Sequence, residues 1–481
     1  MTEDGDDAVV RRDRFSGGPA RGFISSLAGD ERIFAADLAV DRAHVVMLAE
    51  QGLVDDGDAA AILAALDEVA AAGHDALPDG EDVHEAIETA VVDRVGPAGG
   101  RMHTARSRND EVAACLRIRL RDDLLDAADA ALALREALTE TARANVQTTM
   151  PGYTHLQPAQ PTTLAHHHLS YESALRRDVA RLRDAYDRTN RSPLGAAAFA
   201  GTPFDVDRER TAALLGFDGV VENATDAAAA RDFLVEAAAA LAALALTCSG
   251  LAEDLVGFAS RGYVELDDDY ASTSSIMPQK KNPDTLELVR AVAGDAVGAL
   301  TGVATTLKGL PRAYNRDLQR ADPHVWDAVD AVRGATGACA GAVSTASWDE
   351  AALADDAGDG FSTATGVADA LALAGVPFRT AHEVVARAGT ADAEALDEAA
   401  RAVLGESLFA RVDRAVVERA LDPAESVRAR DSHGGPAPEA VRGALDRADT
   451  ALAADREAVA DRRDRGDRAA AELAEVVDGY V

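Results

Sequence analysis

The sequence has few aromatic residues and almost no lysine. Aromatic residues make up 4% of its 481 residues, and Lys280, Lys281 and Lys308 are its only lysines. Strands favour β-branched and aromatic residues, whereas the abundant alanine is the best helix former. Hydrophobic residues still reach 47%, which is enough to bury a sizeable core. The composition therefore predicts an all-α protein whose helices pack through small side chains.

Cysteine and long apolar runs are scarce as well. Cys115, Cys248 and Cys339 are too few and too widely spaced for a disulfide framework or a metal motif. The longest uncharged apolar run, 237–252, has 16 residues, fewer than the roughly 20 that span a bilayer. Residues 1–13 are acidic and contain no apolar stretch, which predicts no signal peptide. These absences predict a protein of the reducing cytoplasm that does not enter a membrane.

Motifs for common cofactors are also missing. The sequence contains no Walker A motif or dinucleotide fingerprint, and Asp267–Asp269 lacks the spaced ligands of a calcium loop. The adjacent histidines His166–His168 diverge by about 100° from one to the next around a helix, so they cannot converge on one ion. We therefore predict neither a cofactor nor a metal.

Acidic residues far outnumber basic ones. The sequence has 83 Asp and Glu against 48 Lys and Arg, which gives a formal net charge of −35. Such a chain repels nucleic acid and anionic lipid surfaces. We predict no nucleic-acid partner.

Apolar residues recur at helical spacing through the middle of the chain. The repeats begin near Val112, Leu164 and Val289 and step by three or four residues. The first repeat has two apolar seams, which is typical of a helix inside a bundle. Polar stretches with glycine and proline separate the repeats. We predict a three-part helical subunit with an N-terminal helical domain (1–107), a central bundle of long helices (108–350) and a C-terminal helical domain (351–481).

Polar segments that interrupt this pattern hold the candidate chemistry. Arg108 and Asn109 precede a long helix, whose unpaired N–H groups suit a carboxylate; a capped helix with solvated arginines is the alternative. His155 lies among hydroxyl and amide side chains in a proline-rigid turn, which suits acid–base work, although a lone histidine is usually structural. The segment 272–284 joins small hydroxyl residues to two of the three lysines. This pattern favours a mobile lid that closes over an anion, with an exposed basic loop as the alternative.

Taken in order, these segments resemble the fumarase/aspartase superfamily and, within it, the argininosuccinate lyase family. Residues 279–282, Gln-Lys-Lys-Asn, are similar to the argininosuccinate lyase form of the superfamily's serine-bearing loop. Fumarases and aspartases have Gly-Lys-Val-Asn there, and adenylosuccinate lyases have His-Lys-Arg-Asn. The resemblance runs from about Phe23 to about Glu383. Its motifs lie at 103–110, 152–160, 223–233, 274–283, 314–319 and 361–382.

The chain departs from the family pattern at several positions. Ala105 and Thr273 stand where glycine is usual, and Ala224 and the alanines at 227–230 replace polar residues. Asp322 stands where the resemblance leads us to expect a lysine that binds the carboxylate of the arginine moiety. Arg320 is a candidate substitute for that lysine.

The resemblance implies a β-elimination that splits argininosuccinate into arginine and fumarate without a cofactor. A base removes a proton beside a carboxylate, and the resulting carbanion needs fixed positive charge nearby. Lys280 and Asn282 are the implied clamp, Ser274 is the implied catalytic serine, and His155 is its acid–base partner. Which of Ser274 and His155 is the base and which the acid stays open. The implied substrate-binding residues are Ser26, Arg108, Asn109, Thr154, Asn282, Tyr314 and Gln319.

The resemblance also implies a homotetramer. Its central helices would form a 20-helix core, and each site would combine segments around Asn109, His155 and Ser274 from three chains. Three alternatives remain: another lyase that releases fumarate, a non-catalytic relative of the lens-crystallin type, and a generic helical scaffold.

The acidic, lysine-poor composition generates a prediction about salt. At 1 M salt the Debye length falls to about 3 Å, which screens repulsion among carboxylates. We expect the protein to refold and function in molar salt and to lose structure in dilute buffer, as measured by circular dichroism and activity across a KCl series. Full stability in dilute buffer would contradict a high-salt habitat.

Overall fold

Helices dominate the computed structural model, which describes residues 18–481. The strands are few and short, so the predicted all-α class is confirmed. The predicted absence of a signal peptide concerns residues 1–13, which lie outside the described residues.

The helices before residue 108 form the N-terminal part. They are α1 (Arg21–Ile24), α2 (Glu31–Glu50), α3 (Asp56–Ala72) and α4 (Val83–Val95).

The middle of the chain contains five long helices joined by short elements. In chain order the elements are α5 (Arg108–Ala144), β1 (Thr149–Thr154), β2 (Gln157–Thr163), α6 (Leu164–Thr189), α7 (Arg208–Leu214), α8 (Ala224–Ala229), α9 (Asp232–Arg261), β3 (Val264–Glu265), β4 (Ser272–Thr273), β5 (Lys281–Asn282), α10 (Asp284–Leu307) and α11 (Asp322–Thr345).

The five long helices share one hydrophobic core. α5 packs against α6 and α11, and α9 packs against α10. Each helix contributes apolar side chains that lie fully or almost fully inside this core, which accounts for the repeats that predict them. Examples, one from each helix, are Leu134, Leu175, Leu241, Val289 and Val329.

The C-terminal part is divided between two cores. In chain order its elements are β6 (Ser347–Trp348), α12 (Glu350–Asp356), α13 (Ala364–Leu373), α14 (Phe378–Ala388), α15 (Ala393–Leu404), α16 (Arg414–Leu421), α17 (Pro423–Arg428) and α18 (Pro438–Asp478). Residues between Val367 and Val417 enclose a small hydrophobic core of their own. The last helix, α18, instead packs against α5 and α6. The three-part division of the sequence stays a prediction.

Two helices of the described chain are long and apolar enough to cross a membrane by length and composition alone. They are α9 and α10. More than half of the apolar window of α9 is buried within the fold, as is usual for a core helix, whereas less than a third of the window of α10 is buried. An apolar helix left partly uncovered needs a further partner.

A buried ion pair ties α18 to the bundle. Arg135, fully buried in α5, donates to Glu172 of α6 at 2.8 Å and to Asp455 of α18 at 2.6 Å. We expect Arg135→Met to lower the free energy of unfolding by about 3–5 kcal/mol, because it leaves the Glu172 carboxylate buried without its partner. Arg143→Met, which removes an exposed pair with Asp449, is the matched control and should cost about 1 kcal/mol or less. Urea unfolding at constant KCl measures both; equal losses would contradict the prediction.

Candidate active site

Five of the predicted site residues line one cavity of about 980 Å³. The cavity lies where the start of α5 meets the loop before α2 and the turn before α11. The five residues are Ser26, Arg108, Asn109, Tyr314 and Gln319.

A capping box holds the start of α5. Ser107 Oγ accepts the N–H of Asn109 at 3.3 Å, and one carboxylate oxygen of Asp110 accepts the N–H of Ser107 at 3.0 Å. The other oxygen of Asp110 accepts the N–H groups of Gly195 and Ala197 at 3.0 and 2.9 Å. Because Asp110 joins the helix to the loop beside it, the first residues of α5 have a fixed place on the cavity wall.

The polar side chains at the cavity wall are held by neighbours. Arg108 donates to Asp82 at 2.9 Å, and Asn109 Nδ2 donates to the carbonyl oxygen of Ala198 at 2.9 Å. The guanidinium of Arg108 has five N–H donors in all, so it keeps others for a ligand.

The opposite wall is bound together in the same way. Ser26 Oγ donates to Asp30 at 2.9 Å, and Gln319 Nε2 donates to the carbonyl oxygen of Ile24 at 3.2 Å. The first bond holds the loop before α2 together, and the second joins the turn before α11 to the end of α1.

A cluster of buried charges lies behind this cavity. Arg106 contacts Asp41 at 2.6 Å and Glu111 at 2.9 Å, and His84 Nδ1 contacts Asp37 at 2.8 Å. All five side chains are buried. The cluster connects α2, α4 and the first turn of α5, so it supports the cavity from within.

Electrostatics within the cluster keep both of its cations charged. Burial lowers the pKa of His84, but the carboxylates of Asp37 and Glu111 outweigh it and hold that pKa well above its usual range. Burial raises the pKa of Asp41 to about 6 against the pull of Arg106. Oxygens of Asp37, Asp41 and Glu111 lie close enough together to hold a metal ion. The guanidinium of Arg106 already provides the positive charge there, so the donor set does not fit a metal.

His155 lies at the tip of a strained hairpin. β1 pairs with β2, and Thr154 opposite Gln157 leaves His155 and Leu156 as a two-residue turn. Their φ angles are 55° and 59°, which is the type I′ geometry normally occupied by Asn-Gly. The turn is exposed. Strain of this kind is common at functional sites, which favours a role for His155.

Ser274 lies at the base of a protruding loop. β4 pairs with β5, and the N–H of Ser274 donates to the carbonyl oxygen of Lys280 at 3.2 Å. Ser274 Oγ accepts the N–H groups of Ile276 and Met277 at 3.3 and 3.1 Å. Two N–H donors at one hydroxyl oxygen would stabilise negative charge on it. The apolar side chains of Ile276 and Met277 are exposed. This loop could therefore bury apolar surface by packing against another part of the protein.

The two neighbouring lysines differ in their surroundings. Lys281 contacts Asp268 at 2.7 Å and Glu265 at 3.3 Å. Lys280 is exposed and has no ion-pair partner among residues 18–481. Of these two lysines, Lys280 is the one left free to meet an anion.

Within one chain the predicted site residues form separate groups. None of Thr154, His155, Ser274, Lys280 and Asn282 lines the cavity that holds the other five. The structure of the single chain therefore brings together the substrate-binding half of the predicted site and leaves the implied catalytic groups elsewhere on the surface.

The cavity also contains two charged residues that the sequence interpretation did not name as site residues. Arg231, which lies before α9, is almost completely buried, and Asp30 lies in the loop before α2. The motif at 223–233, in which Arg231 is the arginine, was the available signal for this residue. A single charged residue that stands outside a recognisable cluster of polar residues is usually predicted to be a solvent-exposed surface residue.

Two family models match the chain. One, described as "Lyase", matches residues 25–298, and one described as "Argininosuccinate lyase C-terminal" matches residues 361–428. An argininosuccinate lyase of Haloarcula marismortui is 66% identical over all of this chain and 98% of its own length. One of Natronomonas pharaonis is 67% identical over all of this chain and 99% of its own length. The chain belongs to the argininosuccinate lyase family.

A solved structure of another lyase, EDDS lyase, has a similar fold. EDDS lyase in complex with formate superposes with a TM-score of 0.87 at 35% identity, covering 96% of this chain and 95% of the other. The backbone described above is therefore shared well beyond the closely similar argininosuccinate lyases.

One departure from the argininosuccinate lyase pattern has a backbone consequence. Ala105 has a φ angle of 62° where glycine is usual. The left-handed region costs a residue with a Cβ about 1–2 kcal/mol, and glycine loses about 0.5–1 kcal/mol of chain entropy. We expect Ala105→Gly to raise the free energy of unfolding by up to about 1 kcal/mol in urea titrations at constant KCl. Ala114→Gly, inside α5, should lower it; a loss of stability in both variants would refute the strain argument.

Proposed function

We propose that the protein is a C–N lyase that reversibly splits argininosuccinate into arginine and fumarate, a step of arginine biosynthesis. The observation that carries the proposal is full-length similarity to argininosuccinate lyases combined with the presence of Ser274, His155 and Lys280. The reaction needs no cofactor, because a serine or histidine can move the proton and fixed positive charge can stabilise the carbanion.

The environment of Ser274 supports its role. If Ser274 is the base, its alkoxide is stabilised by the N–H groups of Ile276 and Met277. The unpaired ammonium of Lys280 and the amide of Asn282 then hold the carboxylate that receives the carbanion charge. His155 would protonate the departing guanidino nitrogen; the reverse assignment of base and acid to Ser274 and His155 remains open.

The cavity supports the binding of the substrate. Arg108 and Asn109, at the start of α5, would bind a carboxylate of the succinyl group, since this helix end combines a positive dipole with a guanidinium. Ser26, Thr154, Tyr314 and Gln319 would contact the rest of the substrate.

We further propose a homotetramer in which each site combines three chains. Separation of the cavity from His155 and Ser274 within one chain supports this, because a single chain leaves the site incomplete. The side chains of Leu288 in α10 and Leu246 in α9 are 68% and 57% exposed, as expected for helices that pack against other copies.

The cellular setting is part of the same proposal. A strongly acidic chain with free buried cysteines fits the cytoplasm and disfavours nucleic acid or an anionic membrane as a partner. The similar proteins from halophilic archaea support operation at high salt.

The likeness to EDDS lyase, a variant of which is solved with bound fumarate, favours one second candidate, another lyase of the superfamily that releases fumarate. A non-catalytic, crystallin-like relative is disfavoured by the intact Ser274, His155 and Lys280.

Fumarate absorbance after addition of argininosuccinate tests the reaction. We expect rapid formation of fumarate by the native protein and a loss of about 10²–10³-fold in kcat for Lys280→Met, because the developing charge loses its clamp. Lys281→Met removes the same charge one residue away and should stay within a few-fold of the native rate. Undiminished turnover by Lys280→Met would overturn the assigned clamp, and fumarate from another substrate only would select the second candidate.

Mixing two inactive variants tests the shared site. His155→Asn and Ser274→Ala subunits, dissociated and reassembled together, should regain part of the native activity, because some sites then receive an intact residue from each variant. Each variant reassembled alone is the control. No recovery in mixed tetramers of verified composition would show that both residues come from one chain.

A further inference from the structure

The hairpin that carries His155 depends on contacts with the rest of the chain. Among residues 18–481, β1 and β2 pair only with each other, and a two-stranded hairpin alone is marginally stable. Its turn is also strained, and strained backbone persists only where the surrounding structure holds it. The contacts between the hairpin and the other elements therefore determine where His155 lies.

Apolar packing holds the base of the hairpin. Met150 in β1 and Leu164, which follows β2, are fully or almost fully buried in a small core that also contains Phe258 and Leu353. In addition, β1 packs against α12, and β2 packs against α17. Met150 lies near the start of β1, at the end of the strand away from His155, so this core fixes the base rather than the tip.

Tyr153 holds the hairpin close to the turn. Its hydroxyl lies 3.0 Å from the hydroxyl of Tyr263, and Tyr263 donates to Asp356 Oδ2 at 2.7 Å. Because the one hydroxyl proton of Tyr263 goes to the carboxylate, Tyr153 is the donor to the oxygen of Tyr263. The two bonds connect β1, through Tyr263, to the last residue of α12.

Tyr263 is a firm anchor for this connection. It lies between α9 and β3 and is 2% exposed, with its ring in the same small core as Met150. Its N–H donates to the carbonyl oxygen of Phe258 at 3.0 Å, and its own carbonyl oxygen accepts the N–H of Asp349 at 3.0 Å. Since both its backbone and its ring are fixed, the position of its hydroxyl is fixed as well.

A second contact holds the ring of Tyr153. The guanidinium carbon of Arg261, in the last turn of α9, lies 4.8 Å from the centre of that ring, which is a cation–π distance. Arg261 Nη1 also donates to the carbonyl oxygen of Gly257 at 3.1 Å. Tyr153 is therefore held at its ring by α9 and at its hydroxyl by Tyr263, in the strand that leads directly into the turn at His155.

We propose that Tyr153 and Tyr263 are positioning residues, which keep the imidazole of His155 where proton transfer requires it. A proton moves only between groups at hydrogen-bond distance, so a displacement of about 1 Å at the turn lowers the rate steeply. The inference rests on the proposed function, in which His155 is the acid or the base. Neither tyrosine lines the cavity that holds the predicted substrate-binding residues, so both act through the hairpin.

Hydrogen–deuterium exchange of the whole protein tests whether the two hydroxyls hold the hairpin. Tyr263→Phe keeps the ring in its core and removes the hydroxyl that accepts from Tyr153. We expect the amides of residues 149–163 to exchange about fivefold faster in this variant, because one hydrogen bond contributes about that factor to a local equilibrium. Tyr186→Phe removes the hydroxyl of an equally buried tyrosine in the core of the five long helices and should leave these amides unchanged.

Turnover tests whether that hold positions His155. We expect Tyr263→Phe to lower kcat for argininosuccinate about tenfold or more and to leave KM within about twofold, because His155 moves a proton rather than binding the substrate. Tyr153→Phe breaks the same bond from its other side and should lower kcat to a similar extent. The double variant should lose no more than Tyr263→Phe alone, since the bond can be broken only once.

Four results would each overturn the proposal: unchanged exchange at 149–163 in Tyr263→Phe, faster exchange there with undiminished kcat, an equal loss of kcat in Tyr186→Phe, or additive losses in the double variant. Exchange needs no turnover. A native protein that forms no fumarate would therefore refute the proposed reaction, while faster exchange in Tyr263→Phe would still show that the two tyrosines hold the hairpin.

Discussion

The buried contact of Arg106 with Asp41 and Glu111 is the constraint on which the cavity depends. It fixes the segment before α5 to α2 and to the first turn of α5 itself. Burying these charges costs desolvation free energy, and the attraction between them offsets that cost only while every partner is present. A network of this kind does little to raise stability over an apolar core, but it allows one arrangement only. The buried contacts of Arg106 therefore also fix the positions of Arg108 and Asn109, which follow it at the start of α5.

The two parts of the proposed site differ in how firmly the fold holds their side chains. The cavity is rigid: helix starts, a capping box and buried ion pairs hold its side chains. His155 instead lies at an exposed tip, in a strained two-residue turn, and half-buried Ser274 lies at the base of a loop whose apolar side chains are exposed. In the proposed tetramer, other chains would cover the exposed turn and the apolar side chains of the loop. Binding of the substrate can then contribute to closing the loop, which excludes water from the developing charge.

The long helices were predictable from sequence because their apolar periodicity is strong, and the confirmed α5, α6 and α10 contain the repeats that begin near Val112, Leu164 and Val289. The hairpin at 149–163 was not predicted, because its prolines argue against strands in general and are tolerated only in a short ribbon whose edges are open. The motif residues around Arg108 and Tyr314 were found as segments, and five of the named residues do share a cavity. Arg231 lies in the motif at 223–233 but was not named as a site residue, because its burial and its lack of an ion-pair partner among residues 18–481 are properties of three-dimensional packing that the sequence does not display.

Cations without an ion-pair partner are unusual in this protein, because acidic residues far outnumber basic ones. With 83 acidic residues against 48 basic ones, almost any exposed arginine or lysine has a carboxylate within reach, and most of the arginines of the described chain do contact one. A cation that stays unpaired in such a field must be held away from acids by the fold, as Arg231 is by burial and Lys280 by its place on a loop. Screening by salt weakens the attraction between exposed charges but acts much less on buried ones. The buried charges of the described chain, such as those of Arg231 and the Arg106 cluster, therefore keep their electrostatic influence at salt concentrations that screen exposed charges.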